Sequence, residues 1–252
     1  MISRFFSFFA LLMVCTCATC AWTQQASTLD GRLFAAKPVL DNAIASKPVG
    51  QAPSTEFSDQ VKRPVILNFD QFPGPLWKQS SCYGFGSSQV FHGILTIDSP
   101  SDCYEFGLFD PNGKWNKYVS NARGWVVETS MQMDPTTPLV PCDDIHYGSV
   151  LIWVEDHTRL SIVGFATNEV CLAYPDQVHF PMDTTNSFHV YRIEGKGKRL
   201  RIYVDGALAI DHELTYLGLG TETLLFGDGD IQNTSLTRWD YFSYDVFPPE
   251  RE

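Results

Sequence analysis

The chain has 252 residues, of which 44% are hydrophobic, 13% aromatic and 19% charged, and its formal net charge is −11. This balance is typical of a globular protein and excludes low-complexity and coiled-coil classes. An acidic chain repels a phosphate backbone, so we expect no nucleic acid partner. The densest basic run, Lys196 to Arg201, is interrupted by Gly197 and is interpreted as a solvated hairpin.

The first residues predict export. Arg4 supplies a positive charge, Phe5–Val14 is an apolar run, and small residues precede Trp22, where a signal peptide would be cleaved. We therefore predict a signal peptide at residues 1–21. The apolar run is too short for a comfortable transmembrane helix, and no second long apolar run follows. We expect a secreted or extracytoplasmic monomer with no membrane span.

The cysteines outside this segment fit an oxidising compartment. Four remain, and they are Cys82, Cys103, Cys142 and Cys171. An even number in an exported protein predicts two disulfides, with three possible connectivities. The spacing favours Cys82–Cys103 and Cys142–Cys171, because these pairs are symmetric about two candidate hairpin turns, at His92-Gly93 and Asp156-His157. A zinc site is the rival interpretation, but no CxxC or clustered Cys/His spacing supports it.

Beyond the signal the chain divides in two. Residues 22–60 are rich in Ala, Ser, Gln and Pro and predict a flexible linker. From residue 61, short β-branched and aromatic runs recur every eight to twelve residues between turn residues, which predicts a sandwich or barrel and no helical fold. The predicted strands are Val65–Phe69, Val90–Ile97, Trp125–Met133, Ser149–Glu155, Leu160–Ala166, Val170–Tyr174, Phe188–Glu194, Leu200–Asp205, Ala207–Leu214, Thr223–Phe226 and Trp239–Phe247.

The stretch FHVYRIEGKGKRLRIYVDGALAIDHEL resembles the paired strands of concanavalin A-like lectin/glucanase domains, especially the laminin G-like branch. The matching features are a strand with His189, a polar turn at Gly195–Lys198, and the LRIYVDG strand and turn that begins at Leu200. The chain's last strand also looks like the superfamily's terminal strand, with Asp240 after an aromatic residue. The resemblance covers about residues 61–248 and implies an all-β, concanavalin A-like jelly-roll sandwich of two antiparallel sheets, in residues 61–252. The last strand of such a sandwich is expected to pair with the first.

This superfamily hosts lectins, glycosidases, lyases and adhesion modules, so the fold alone does not give an activity. The glucanase run E-x-D-x-E is absent: Glu155 and Asp156 are adjacent and point to opposite faces, and Glu128 stands alone. A cross-strand pair of Glu128 and Glu155 stays open as a catalytic alternative. A lyase-like site that includes His146 is a second alternative, although the arginine strand of such lyases is missing.

Calcium is the metal that the resemblance implies. Family members commonly hold a structural Ca²⁺ with backbone carbonyls and an aspartate of the last strand, which matches Asp240 here. Asp70, at the end of the first strand, could lie close to it. The run Asp228-Gly229-Asp230 with Asn233 offers oxygen ligands too, but its residues also suit an ordinary turn.

Strand alternation predicts a binding surface. Aliphatic residues occupy one face of the strands, and polar and aromatic residues occupy the other. If these strands are neighbours in one sheet, the polar face could bind a sugar by stacking and hydrogen bonding. The candidate ligand-binding residues are Glu128, Gln132, Trp153, Glu155, Arg192, Arg201 and Tyr203. We therefore expect a non-catalytic module that binds a polysaccharide or glycoconjugate; the alternative is a divergent polysaccharide hydrolase or lyase, or a purely structural domain.

Overall fold

A computed structural model describes residues 64–109, 113–142, 148–215, 218, 220–229 and 232–247. The predicted signal peptide and linker lie outside these residues, as do His146 and Asp230. The fifteen strands of the described residues are β1 (Val65–Leu67), β2 (Trp77–Ser81), β3 (Ser87–Phe91), β4 (Ile94–Pro100), β5 (Tyr104–Leu108), β6 (Trp125–Met133), β7 (Val150–Glu155), β8 (Leu160–Ala166), β9 (Glu169–Tyr174), β10 (Val178–Pro181), β11 (His189–Lys196), β12 (Arg199–Val204), β13 (Ala207–Glu213), β14 (Leu224–Asp228) and β15 (Thr234–Val246). One short helix, α1 (Lys114–Tyr118), accompanies them in this part of the chain.

The strands form two antiparallel sheets. Sheet A has the order β13-β12-β11-β6-β15-β4-β3, with β1 also paired to β15. Sheet B has the order β10-β9-β8-β7-β14-β5-β2. The predicted all-β sandwich of two antiparallel sheets is therefore confirmed.

The core lies between the sheets because each strand turns its alternate apolar residues inward. On β6, Val127 and Met131 face inward and are fully buried, whereas Glu128 is on the opposite face of the strand and is partly exposed. Large aromatic side chains fill the centre, where Phe226 of sheet B stacks on Phe242 of sheet A with ring centroids 4.4 Å apart. The predicted inward faces of β6, β7 and β12 are all found.

The last strand organises sheet A. β15 pairs with β6 on one side, and on the other side its first half pairs with β4 and its second half with β1. Val65 lies opposite Tyr244, so the predicted pairing of the first and last strands is confirmed. The register with β6 shifts between Trp239 and Tyr241, which leaves Asp240 as an extra residue in a β-bulge.

Both predicted disulfides are present, at Cys82–Cys103 and Cys142–Cys171. The predicted position of the first within one hairpin is wrong. His92-Gly93 does turn between β3 and β4, but those strands belong to sheet A. The disulfide instead lies at the end of the β2–β5 pair in sheet B, where the Cys82 amide donates a hydrogen bond to the carbonyl of Cys103 over 3.1 Å. The bridge therefore encloses a hairpin of the opposite sheet.

The second disulfide also departs from the hairpin geometry that the spacing suggested. β7 and β8 form the expected hairpin, with Glu155 opposite Leu160. Cys171 lies on β9, and Cys142 lies in the segment after β6, so the bridge ties that segment to the outside of sheet B. Two disulfides fit an extracellular environment. The helices of the described residues include none with the length and hydrophobicity needed to cross a membrane.

Candidate functional site

The outer face of sheet A, which points away from the core, carries an open groove. Two adjoining cavities, of about 560 and 270 Å³, share Val126, Arg192 and Phe247 among their lining residues. Together they cross the strands from β1 to β12, and we refer to this depression as the sheet A groove. Its lining includes Ile66 of β1, Tyr241 and Ser243 of β15, Glu128 of β6, Arg192 of β11 and Arg201 of β12.

A network of polar side chains lies at the middle of the groove. Arg192 is opposite Glu128 in the β6–β11 pairing, which brings the guanidinium Nη1 within 3.3 Å of the carboxylate Oε2. The other oxygen of Glu128 accepts a hydrogen bond from the Tyr241 hydroxyl over 3.0 Å. Arg192 Nε donates to Glu194 Oε1 over 2.8 Å. One guanidinium therefore joins two carboxylates, and a phenol holds one of them in place.

The electrostatics of two of these groups follow from their neighbours. Burial raises the pKa of Tyr241, and the hydrogen bond to the Glu128 carboxylate raises it further, so the phenol stays protonated and acts as a donor. For Arg192, burial alone would lower the pKa, but the hydrogen bonds to Glu194 and Glu128 outweigh it and raise the pKa. Both groups are thus fixed hydrogen-bond donors at neutral pH.

The end of the groove at β12 is rich in arginine. Arg199 donates from Nε and Nη2 to the two oxygens of Asp211 over 2.5 Å each. Arg201 shares the same carboxylate at 3.6 Å. Two guanidinium groups against one carboxylate leave hydrogen-bond donors that face solvent beside the groove.

Five of the seven predicted ligand-binding residues lie on this outer face. Glu128, Arg192 and Arg201 line the groove. Tyr203 lies opposite Arg192 on β12, and Gln132 lies further along β6, where its amide donates to the Thr185 carbonyl over 2.7 Å. Their roles as ligand contacts remain a prediction, but the structure brings all five to one sheet face.

The other two predicted residues lie elsewhere. Trp153 and Glu155 are on β7 in sheet B, so the expectation of one surface shared by all seven residues is wrong. Trp153 packs against an apolar cluster on the outside of sheet B, and Glu155 is only 1% exposed, with one oxygen 2.6 Å from the Thr221 hydroxyl. Alternation tells which face of a strand is polar, but not to which sheet the strand belongs. The catalytic pair of Glu128 and Glu155 is excluded for the same reason.

The predicted calcium ligands are only partly together. Asp240 is exposed at the β15 bulge and lines the same end of the groove as Asn68, whose amide donates to the Asp70 carboxylate. Among the described residues, one group of three potential metal ligands is compact, formed by Cys82, Asp102 and Cys103. Its sulfurs form a disulfide and offer no thiolate. Calcium at Asp240 therefore remains a prediction.

In the other candidate calcium loop, Asp228 is buried and accepts a hydrogen bond from the Ser235 hydroxyl. Asp230 lies outside the described residues, so the loop's fit to Ca²⁺ stays a prediction.

Sequence reasoning missed two residues of the polar network in the groove, Glu194 and Tyr241. Glu194 follows Arg192 by two positions and so shares its strand face, which was a usable signal. Tyr241 could not be found by simple alternation, because the bulge at Asp240 reverses the facing of the residues that follow. Trp115 does not reach the groove, because it is fully buried in α1 against Trp125.

Comparison with known proteins extends the description of the fold. No protein-family model matches the chain, and no curated protein is similar in sequence. Among solved structures, a β-glucanase of Bacillus licheniformis superposes with a TM-score of 0.51 at 13% identity, covering 73% of this chain and 98% of that one. The catalytic domain of an endo-1,3-β-glucanase of Thermotoga petrophila gives a TM-score of 0.48 at 13% identity, covering 73% and 98%.

A structure of botulinum neurotoxin type C, whose cell entry depends on two ganglioside molecules, gives a TM-score of 0.47 at 14% identity, covering 69% of this chain and 44% of that chain. The similarity to the Bacillus enzyme shows the concanavalin A-like fold. At this level of identity it does not carry an activity across.

Proposed function

We propose that this protein is an exported carbohydrate-binding module whose sheet A groove holds a polysaccharide or glycoconjugate. The observation that carries the proposal is the fixed network of Glu128, Arg192 and Tyr241 in the middle of an open groove. A sugar presents hydroxyl groups that both donate and accept hydrogen bonds. Here a carboxylate offers acceptors, and a guanidinium and a phenol offer donors, all held in place before a ligand arrives.

The apolar parts of the groove support the same ligand. Ile66 lines its β1 end, and Val126 and Phe247 line both of its cavities. Sugar rings have C–H faces that pack on apolar and aromatic groups, while their hydroxyls reach polar ones. A groove that is open along its length suits a chain of sugars better than a compact metabolite.

The module is proposed to be non-catalytic. A glycosidase of the paired-carboxylate type needs one carboxylic acid that donates a proton to the leaving group. In the groove, Glu128 and Glu194 both contact the Arg192 guanidinium, so each carboxylate is already engaged as an acceptor with that cation. Both groups therefore suit binding better than proton donation.

Titration of soluble oligosaccharides from neutral and acidic polysaccharides tests the proposal. We expect Arg192→Ala to weaken binding at least tenfold, because it removes the donor at the middle of the groove. Lys198→Ala is the matched control, since Lys198 is an exposed cation on the turn after β11. Binding that is equal in both variants, or no binding of any oligosaccharide by the native protein, would contradict the proposal.

A glycoside hydrolase is the second candidate, and one observation favours it: Glu128 and Glu194 lie on the same sheet face and flank one arginine. An assay for new reducing ends on the oligosaccharides that bind distinguishes the two candidates. If the native protein releases reducing ends and the Glu128→Gln variant does not, the protein is a hydrolase and not a non-catalytic binding module.

A laminin G-like relationship, a structural Ca²⁺ at Asp240 and a monomeric state are parts of the same proposal. Calcium would stabilise the β15 bulge, so addition of Ca²⁺ to metal-free protein is expected to raise its melting temperature. An Asp240→Asn variant should lose this response.

A further inference from the structure

Two exposed aromatic side chains stand on a loop that is held unusually firmly. This loop, residues 82–86, joins β2 to β3, and its Tyr83 and Phe85 are 58% and 67% exposed. Their ring centroids are 6.3 Å apart, with an angle of 35° between the ring planes. Exposed aromatics of this kind are costly to keep in water, and they commonly mark a binding surface.

The buried carboxylate of Asp102 holds the loop from below. It accepts hydrogen bonds from the backbone amides of Tyr83, Phe85 and Gly86 over 2.8 to 2.9 Å. The Ser81 hydroxyl donates to the same carboxylate. With the Cys82–Cys103 disulfide at its base, the loop presents its rings in one arrangement. Because the loop is already ordered, binding of a ligand carries no entropic cost for ordering it.

The strand that follows carries a further row of exposed residues. Ser87, Gln89 and Phe91 alternate on the outward side of β3, and all are exposed, Phe91 to 68%. At about 3.3 Å per residue, the row from Ser87 to Phe91 is about 13 Å long. We define the aromatic edge as Tyr83, Phe85, Ser87, Gln89 and Phe91. It combines rings at both ends with a hydroxyl and an amide between them.

The charge of this region points to the class of ligand. From Gln79 to Ile97 the chain has no Asp, Glu, Lys or Arg, although its formal net charge is −11. Edge strands are usually protected against pairing by charged residues or proline, and β3, the last strand of sheet A, has neither. The five residues of this surface are uncharged, and the exposed Asp98, which lies opposite Ser87 on β4, would repel an anionic polymer or anionic lipid headgroups.

We infer that the aromatic edge is a second carbohydrate-binding surface, which takes a neutral polysaccharide chain by stacking its sugar rings on Phe85 and Phe91. Tyrosine and phenylalanine provide rigid contact area at a low entropic cost, and Ser87 and Gln89 offer hydrogen bonds to the hydroxyls of the sugars between them. The surface is separate from the sheet A groove: none of its residues lines the groove.

Retention on insoluble neutral polysaccharides tests this inference, with microcrystalline cellulose, chitin and insoluble β-1,3-glucan as probes. We expect the native protein to be retained by at least one of them. Replacement of both Phe85→Ser and Phe91→Ser should reduce retention at least tenfold. Phe109→Ser, which removes a 57% exposed phenylalanine beyond β5, should leave it unchanged. Since these side chains are exposed, equal melting temperatures verify that the variants fold.

The Arg192→Ala variant distinguishes this surface from the groove. It should lose the binding of soluble oligosaccharides but keep its retention on the insoluble polymer. Equal retention of the double variant and the native protein would overturn the inference, as would no retention on any of the three polymers. Two further results would also overturn it. In the first, the native protein binds neutral phospholipid vesicles instead of polysaccharide, and the double variant loses this binding. In the second, the native protein is a dimer, and the double variant is a monomer.

Discussion

On the outer face of sheet A, the Glu128 carboxylate contacts an arginine and a tyrosine in an open groove. On the outer face of sheet B, Glu155 is buried beneath Thr221, and its own backbone amide donates to the carbonyl of Thr223. The two residues occupy equivalent outward positions on their strands. Glu128 is accessible to a ligand, whereas Glu155 is buried and contributes to stability.

The covering of sheet B explains the difference. The segment that carries Cys142 lies over β8 and β9, where Cys142, Ala166, Cys171 and Ala173 form a buried cluster. A second cluster buries Leu151, Leu160 and Ile162 against Trp153. Strands β7, β8 and β9 of sheet B are thus covered on both faces, whereas the outer face of sheet A is open along the groove. Substitutions on sheet B should therefore change stability, and substitutions on sheet A should change binding.

The largest expected effect comes from the disulfide that ties the covering segment to sheet B. Cys142→Ala combined with Cys171→Ala opens a loop with a sequence separation of 29 residues. We expect the free energy of unfolding to fall by about 3 to 4 kcal/mol, from the added freedom of the unfolded chain. Urea denaturation measures it. Oligosaccharide affinity in the groove should stay within twofold, and a large loss of affinity would show that the two faces are not independent.

Glu155→Ala and Glu128→Ala form the most direct comparison of the faces. The first removes a buried carboxylate that accepts a hydrogen bond from the Thr221 hydroxyl, and it should lower the free energy of unfolding by about 2 kcal/mol. The second acts on a partly exposed ion pair and should change it by less than about 0.5 kcal/mol, while lowering affinity about tenfold. Thermal unfolding and calorimetric titration of both variants are needed. The reverse pattern would place the binding surface on sheet B.

The pKa of Asp102, which holds the loop of residues 82–86, predicts how the stability of the fold depends on pH. Burial alone would raise this pKa, but hydrogen bonds from Ser81 and from the amides of Gly86, Tyr83 and Phe85 outweigh it, and the pKa falls to about 2 from an ordinary value of 3.8. Because the pKa is lower in the folded state, the group stabilises the fold above pH 4. This contribution, about 2 kcal/mol, is lost as the pH falls from about 4 to about 2.

The measurement is the difference in unfolding free energy between the native protein and Asp102→Asn, followed from pH 6 to pH 2. The difference should shrink between pH 4 and pH 2. A difference that is constant over this range would mean that the charge of Asp102 does not hold the aromatic loop.

The smallest effect is expected for Tyr241→Phe. It removes the hydroxyl that donates to Glu128 but keeps the ring, so stability should change by less than about 0.5 kcal/mol. Affinity for oligosaccharide should fall about fivefold, since Glu128 loses the group that holds it in place. Unchanged affinity would remove Tyr241 from the binding network.

The sequence was sufficient for the sandwich because its strands are strongly periodic. Trp125–Met133 and Leu160–Ala166 were predicted to the residue. Three strands were missed, β2, β5 and β10, because each has only four or five residues. The predicted strand Val90–Ile97 is also wrong as a single strand, because it runs through the turn between β3 and β4. The cysteine spacing predicted the correct pairs, but the hairpin geometry behind that prediction was wrong. Symmetry about a turn does not reveal that the hairpin between Cys82 and Cys103 belongs to the other sheet.

The candidate site could be predicted only in part, because sheet membership depends on contacts distant in sequence. Glu128 and Arg192 were placed together correctly, since both strands joined sheet A. Trp153 and Glu155 have the same local pattern, but β7 joined sheet B. Tyr241 required knowledge of a bulge that no turn residue announces. Local periodicity gives the face of a strand, and tertiary pairing decides what that face meets.

Hydrogen exchange of the native protein, with and without a bound oligosaccharide, tests the central claim most directly, because it compares both faces in one experiment. We predict slower exchange on ligand binding for backbone amides of β6, β11 and β15, which form the floor of the groove. Amides of β7 and β8 should be unaffected. Protection confined to β7 and β8, with none in the strands of the groove, would contradict the account.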